Sequence, residues 1–563
     1  MLMRFTNSAL NSKRSGTFRH QPKRYSLGLG GNLAVLGRNL PPDRTRENSS
    51  ADSAFLARSA VGLVTGQNRP VAASTQITTA WIDNRLVAVL CIAVLILAGC
   101  AVGPNYKRPA VNAPAGFRGA TNNLSTNSLA DLPWWSLFKD PVLQDLVCTA
   151  LTNSYDLRII LTRVDQARAL QAQTRSQFLP QVNYRGDATR GRNSFLGSAS
   201  PNGGKTMDSF LGGFEAVWEI DLWGRVRRMN EAARANFMAT QEGRRSVMIS
   251  LVSGAATAYF ELLELDEQLA IAKRTRDSYE RSFKLFDDQR VAGFGSSLEV
   301  SRAKLALRSV SANIPDIERQ IALKENEINV LLGRTPGPIP RTATLVAQEF
   351  PVEIPVGLPS DLLERRPDIR LAEQKARQAN AEIGVAVGDF FPRLGLTTFF
   401  GGASAELHKL VSTSASTWSL AASVAGPLFT GGRLTGRYRE AKAASEEAKL
   451  QYQDTALIAF REVSDALISR RRYEEGRVEQ VQAVEAGRQA VELAAVRYKE
   501  GKASYYEVLE AQQQLFPAEN TLSRIEVARR LAVVQLYKAL GGGWSFADSD
   551  WSERGTRPTE GKP

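Results

Sequence analysis

The chain has 563 residues, 43% of them hydrophobic, with 71 Lys and Arg against 58 Asp and Glu for a formal charge of +13. That composition excludes a largely disordered chain, and a mean hydropathy of −0.23 excludes a helical membrane protein with many spans. Two histidines and three cysteines are a poor ligand supply for a zinc or haem centre, so neither metal nor cofactor is expected.

The positive charge is concentrated at the start. Residues 1–85 carry 12 Lys/Arg and 4 Asp/Glu, so the basic excess is mostly an N-terminal feature and no nucleic-acid partner is expected. Thirteen uncharged, mostly apolar residues then run from Leu86 to Ala98. They are too few to span a bilayer as a helix but suit the apolar region of a signal peptide. The run ends in Leu97-Ala98-Gly99-Cys100, which resembles the lipobox of bacterial lipoproteins. The resemblance implies cleavage before Cys100, a lipid on its thiol, and, with Ala101 following, sorting to the outer membrane. Residues 1–80 precede this signal and are read as a disordered extension or as sequence not normally translated; 81–99 are the signal peptide. After cleavage Cys148 is the one remaining free thiol, so no intrachain disulfide is expected.

The mature chain reads as a tandem repeat. Residues 100–139 form a lipid-anchored N-terminal segment, 140–333 a first repeat, 334–351 a linker, 352–541 a second repeat and 542–563 a tail. Gly293, Ser296, Glu299, Val300, Ala303 and Leu307 recur 208 residues later as Gly501, Ser504, Glu507, Val508, Ala511 and Leu515. Nearer the start of each repeat the offset is 212, matching Asp156 to Asp368 and Phe178/Pro180 to Phe390/Pro392. Each repeat opens with helix, over Leu143–Gln177 and Leu358–Val387. A strand pair follows, within 181–222 and 393–429, then a helical hairpin over 224–333 and 432–541. Residues 209–222 show period-2 patterning, with Phe210, Phe214, Trp218, Ile220 and Leu222 on an apolar face and the odd positions including Ser209, Glu215, Glu219 and Asp221. From Leu251 the apolar residues step by four and three through Ala255, Ala258, Leu262, Leu265, Leu269 and Ala272, the 3.5-residue period of coiled-coil packing. The hairpins turn at Val291–Ser296 and Lys499–Ser504, where Gly293 and Gly501 suit a left-handed cap and Ser296 and Ser504 can start the returning helix.

Four amphipathic strands cannot close a membrane barrel, and open edges are not tolerated in lipid. Closure therefore requires further copies of the chain; three would supply twelve strands, while two or four remain open by counting alone.

At this point a set of ordered motifs becomes specific. After the lipobox come Cys100-Ala-Val-Gly-Pro-Asn-Tyr-Lys-Arg-Pro109, Trp134-Trp135, Asp221-Leu-Trp-Gly-Arg225, Arg366-Pro-Asp-Ile369, Phe391-Pro392 and Pro427-Leu-Phe-Thr-Gly-Gly-Arg433. Together they resemble the TolC-like outer-membrane efflux family, in its lipoprotein NodT branch. The resemblance implies an α+β membrane channel-tunnel built from two tandem repeats. In it a homotrimeric 12-stranded β-barrel, four strands per chain, continues into a long α-helical coiled-coil barrel. It further implies a passive exit duct for small molecules, partnered by a periplasmic adaptor and an inner-membrane pump. Carried onto this sequence, Glu507 and Glu510 would ring the periplasmic aperture, and the tips at Gly293, Ser296, Gly501 and Ser504 would dock the adaptor. Arg365-Arg366-Pro367-Asp368 is read as a structural helix start. No enzyme is expected: Gly203-Gly204-Lys205-Thr206 lacks the first glycine of a phosphate loop, and His408 has no nucleophile elbow near it. A type I protein-secretion duct or a periplasmic coiled-coil scaffold are the alternatives, and the alternating strands disfavour the scaffold. If translation starts near residue 80, N-terminal sequencing of the precursor returns that start; peptides from residues 13–69 in cells would refute it.

Overall fold

A computed structural model describes residues 101–120, 128–192, 206–348 and 355–543. Cys100 and the segments 1–80 and 81–99 lie outside the described residues, as do Gly203, Gly204 and Lys205.

The main elements in chain order are α1 (Pro141–Asn153), α2 (Tyr155–Ser176), β1 (Gln181–Arg192), β2 (Thr206–Ile220), α3 (Arg225–Val291) and α4 (Ser297–Leu331). They are followed by α5 (Pro367–Gly388), β3 (Arg393–Ser404), β4 (Ser416–Ala425), α6 (Arg433–Lys499) and α7 (Tyr505–Ala539). Corresponding helices match in length: 22 residues in α2 and α5, 67 in α3 and α6, 35 in α4 and α7. A 67-residue helix is about 100 Å long at about 1.5 Å per residue. Several boundaries differ from the sequence reading. The strand read over 209–222 runs from Thr206 to Ile220, and the opening helix of the second repeat is interrupted at Arg366, whose extended ψ of 122° separates a short helix at Leu362–Arg365 from α5. The opening helix of the first repeat breaks at Ser154, whose extended ψ of 133° separates α1 from α2. The last strand ends at Ala425, which leaves Leu428 and Phe429 in the turn that leads to α6.

The long helix packs along the seam that its 3.5-residue period marks out. Leu251, Ala255, Ala258, Leu262, Leu265 and Ala272 are all buried, and the stripe continues through Tyr279 and Phe286. Small alanines are interspersed with the leucines, which lets neighbouring helices approach closely. The largest apolar cluster gathers midway along the helices, where α1, α3 and α7 meet around Trp134, Phe138, Tyr259, Phe260 and Tyr537. Its buried Asp140 caps α1 through Val142 N–H at 2.8 Å and accepts hydrogen bonds from Tyr259 Oη at 2.9 Å and Gln348 Nε2 at 2.5 Å. Every acceptor site of a buried carboxylate needs such a donor, so one residue ties a helix start to α3 and to the segment before the second repeat.

Arg366 performs the same task at the second repeat. Its buried guanidinium donates to Asp368 at 3.0 and 2.6 Å and to the carbonyl of Ala539 at 2.8 Å, and it pairs with Glu462 at 2.8 Å. Pro367 occupies the first turn of α5, where a missing N–H costs nothing. The motif is a structural joint between α5, α6 and the end of α7.

The four strands form one antiparallel sheet in the order β1-β2-β3-β4. Every pairing joins residues of like parity, such as Tyr184 to Phe214, Phe214 to Phe400 and Phe400 to Trp418. All even-numbered strand residues therefore share one face and all odd-numbered residues the other. The even face carries Val182, Tyr184, Phe214, Trp218, Leu396, Phe400, Trp418, Leu420 and Val424. The odd face carries Asn183, Arg185, Asp187, Glu215, Thr397, Ser419 and Ser423.

Glycines reveal which face is concave. A Cβ on Gly213 would lie 2.7 Å from Gly401 Cα, and one on Gly401 would lie 2.2 Å from the carbonyl oxygen of Gly212. Side chains at this odd-numbered pair would collide because the strands curl toward one another on that side. At Gly186, on the even face, a Cβ meets nothing within 4 Å. The polar face is thus the inner, concave one and the apolar face the outer, convex one. Replacing Gly401 by Val is expected to open this curl at a cost of ~3 kcal/mol, read as loss of the compact heat-sensitive band of the folded protein on unheated gels. Gly186→Val, with open space around it, is the control expected to keep that band.

Candidate functional site

The candidate site is the wall of a duct, from the strand–helix junctions to the hairpin tips. At the first junction Ile220 ends β2 and α3 begins at Arg225, so the reversal from strand to helix takes four residues. Gly224 adopts φ +78°, a left-handed conformation that a side chain resists. The carboxylate of Asp221 accepts hydrogen bonds from the Val226 and Arg227 backbone amides at 3.0 and 2.8 Å. Those amides would otherwise be unpaired donors at the positive end of the helix dipole. Trp223 stacks on Phe391 at 4.8 Å and donates its indole N–H to the Pro392 carbonyl at 2.8 Å, joining the two repeats. At the second junction Gly431 and Gly432 take φ +55° and +88°, and the buried Asp389 holds Arg393 and Arg437 at 3.2 and 2.6 Å.

The segment from Ala101 is laid along these helices. Val102 N–H donates to the Trp223 carbonyl at 2.9 Å, and Arg228 donates to the Val102 carbonyl and to Asn105 Oδ1 at 3.2 and 2.8 Å. Gly103, at φ +94°, lies so close to Gly384 that a Cβ would fall 2.5 Å from its Cα. Further along, Arg108 pairs with Glu364 and Glu373 and donates to Tyr452 Oη. Burial, with the nearby Glu373 carboxylate, pushes the Tyr106 hydroxyl up to about 12, so it stays protonated beside the Arg377 guanidinium. The motif Cys100–Pro109 is therefore a strap whose described part binds both repeats.

At the far end of the helices the tips are built as their sequences indicate, with one exception. Gly293 and Gly501 take φ +90° and +72°. Ser296 forms a full capping box with Glu299: Leu298 N–H donates to Ser296 Oγ at 3.2 Å, and Ser296 N–H donates to Glu299 Oε2 at 3.2 Å. Ser504 occupies the equivalent position before α7, but its hydroxyl makes no capping hydrogen bond. The first tip exposes Val291, Phe294 and Leu298. Glu507 and Glu510 share one face of α7, away from the buried Tyr505, Val508 and Leu509. Glu510 is exposed, whereas Glu507 is paired with Arg497 at 3.4 Å.

Behind the tips lies a clamp that periodicity did not reveal. Phe286 of α3 meets Tyr505 of α7 edge to face at 4.2 Å, and Tyr498 of α6 lies 5.3 Å from Tyr505. Tyr505 Oη donates to Ser282, Gln512 Nε2 donates to Ser278 at 3.0 Å, and Gln289 Nε2 donates to Tyr498 Oη at 3.1 Å. Burial raises the Tyr505 hydroxyl above its ordinary range, so it remains a donor. The signal was present as Phe286 shortly before the first tip and Tyr498 and Tyr505 flanking the second, but only the adjacency of the two hairpins brings them together.

Among the described residues no group of His, Cys, Asp or Glu is arranged to hold a metal. His408 sits on an exposed loop, 3.4 Å from Glu406.

Comparison with known proteins agrees with this architecture. The model of the outer membrane efflux protein family matches residues 146–334 and 358–542. The chain is similar to the solvent efflux pump outer membrane protein SrpC of Pseudomonas putida, 34% identical over 468 residues that cover 81% of this chain and 98% of that one. It is also similar to the cation efflux system protein CusC of Escherichia coli strain K12, 32% identical over 456 residues, with 80% and 98% coverage. Among solved structures it resembles the outer-membrane channel OprN, with TM-score 0.74, 31% identity and coverage of 79% and 100%. The open-state MtrE outer membrane channel of Neisseria gonorrhoeae gives TM-score 0.71, 30% identity and coverage of 79% and 99%.

Tyr505→Ala is expected to release the two hairpins from each other and to speed amide exchange selectively over residues 282–298 and 496–510. Tyr505→Phe keeps the ring contacts and is expected to have the smaller effect, about 1 kcal/mol for the lost hydrogen bond. With duct wall, strand–helix junctions and paired tips all in place, the chain belongs to the outer membrane efflux protein family and is an outer-membrane channel, not an enzyme.

Proposed function

We propose that three copies of this chain form a continuous duct that carries small molecules from a periplasmic adaptor and an inner-membrane pump across the outer membrane. The observation that carries this reading is the sheet itself. It has an apolar convex face, a polar concave face, and outer edges on β1 and β4 that pair with no strand among the described residues. An open edge in lipid costs several kcal/mol per unsatisfied group, so β4 of one copy pairs with β1 of the next. Three copies give a twelve-stranded barrel, and their 67-residue helices give the tunnel beneath it.

At the inner end, Glu507 and Glu510 from three copies form two carboxylate rings that favour cations. The pairing of Glu507 with Arg497 weakens its share of the field, so Glu510 dominates the selectivity. The tips at Gly293, Ser296, Gly501 and Ser504 dock the adaptor, with Phe294 as the apolar contact at the first. Cys100 carries the lipid. Supporting this, Ala101 packs on Gly224, so an acyl chain on the preceding residue starts beside the membrane end of the tunnel. The cargo of the named relatives includes solvents and cations; a passive duct imposes little chemistry on its cargo, and small molecules are proposed as a class.

The test is mass determination of the detergent-solubilised oligomer together with its conductance in planar bilayers. The expected result is an acylated trimer with small, cation-selective conductance. Replacing Glu507 and Glu510 together by Ala is expected to lower that selectivity severalfold. A monomer without conductance overturns the duct, and unchanged selectivity overturns the aperture assignment.

A further inference from the structure

The loop between β3 and β4, residues 405–415, folds back over the sheet rather than rising from it. Leu410 is its anchor. A Cβ on Gly212 would lie 3.1 Å from Leu410 Cδ2, and one on Gly402 would lie 2.1 Å from the Leu410 carbonyl oxygen. Gly212 and Gly402 are a register pair, and both are even-numbered. The backbone direction that a Cβ would follow at each therefore points to the convex, apolar face. The opposite face at this height is occupied by the mutual approach of Gly213 and Gly401, which leaves no room for a loop. Two residues nearer the membrane centre on the same face, Tyr184, Phe214, Phe400 and Trp418 form one cross-strand row, all exposed. The loop thus continues an apolar band that already faces lipid.

The loop's own composition fits that position. Val411 is 94% exposed and Leu407 64% exposed, while Glu406, Lys409 and Ser412 satisfy one another locally. Lys409 Nζ donates to Glu406 at 2.8 Å, and Ser412 Oγ donates to the Lys409 carbonyl at 2.6 Å. On β1 and β2 the convex face turns polar at Arg190 and Asp208, 3.5 Å apart, level with the start of this loop in register. That polar boundary marks the change from acyl chains to headgroups.

We infer that residues 405–415 form an outer-leaflet collar, with Leu407 and Val411 inserted among lipid acyl chains at the headgroup boundary and Leu410 seated on the Gly212/Gly402 pair. The occupant of this surface is lipid, and the loop leaves the luminal mouth uncovered. The inference rests on the placement of the sheet in the outer membrane. A spin label at V411C, in a Cys148→Ser background and in lipid nanodiscs, reads its surroundings. The expected result is severalfold stronger relaxation by oxygen than by a water-soluble nickel chelate, together with unchanged conductance after a bulky charged thiol reagent reacts at the same position. Stronger relaxation by the chelate, or a reduced conductance after the reagent, overturns the collar. A companion label at Y184C separates the two failures. If it reports lipid while V411C reports water, the collar alone is wrong; if both report water, the sheet is not in the bilayer and the collar falls with it.

Discussion

The strand-to-helix reversal at the end of each strand pair is the constraint on which the rest of this molecule depends. A duct that is sheet in the membrane and helix beneath it must change secondary structure at one level without a bulky loop in its wall. At the first junction the chain does so in four residues, three of which have distinct tasks. Asp221 satisfies the first free amides of α3, a contribution of about 1 kcal/mol for such a cap. Gly224 supplies the backbone conformation, and Trp223 ties this joint to Phe391 and Pro392 of the other repeat. The second junction is longer, seven residues from Gly426 to Gly432, and relies instead on Gly431, Gly432 and the ion pairs of Asp389. Internal duplication preserved the order of elements, while the length of the junction and the chemistry that stabilises it diverged.

Curvature is the second requirement, and it follows from what is missing. A sheet of few strands closes around a narrow bore only if its inner face is sparsely filled where the strands bend most. The Gly213/Gly401 pair provides that space, and the alternation of polar and apolar residues then assigns water to the inside and lipid to the outside. One register governs the entire sheet because no bulge interrupts the pairing from β1 to β4.

Below the junctions, helices of this length need more than their own propensity to stay in register. The heptad seam of α3 supplies continuous burial, and discrete polar joints fix the alignment of the helices with the segments around them. Arg530 is such a joint between the second repeat and the linker: almost completely buried on α7, it pairs with Glu526 at 2.5 Å and donates to the Val346 and Gln348 carbonyls at 3.2 and 3.3 Å. Burial works against the charge on Glu526, yet its bonds to Arg530 and Arg477 hold its carboxyl below the usual range. The aromatic clamp of Phe286, Tyr498 and Tyr505 plays the corresponding part near the tips.

Local repetition made much of this legible in the amino-acid sequence. The alternation over 209–222, the 3.5-residue period from Leu251 and the 208-residue recurrence each depend on spacing along one chain, and each has its counterpart in the fold. Glycine and serine at the tips were equally readable, because a helix cap is a local structure; Ser504 shows that the position can be right while the hydrogen bond is absent. The break at Ser154, the concave side of the sheet, the pairing of Glu507 with Arg497 and the outward fold of the Leu410 loop were not readable. Each depends on which element lies alongside, and spacing within one strand or helix carries no information about its neighbour. The sequence by itself determined the elements, their order and their duplication; only the tertiary structure decided which faces, partners and loops they turn toward one another, because those follow from packing between residues far apart in the chain.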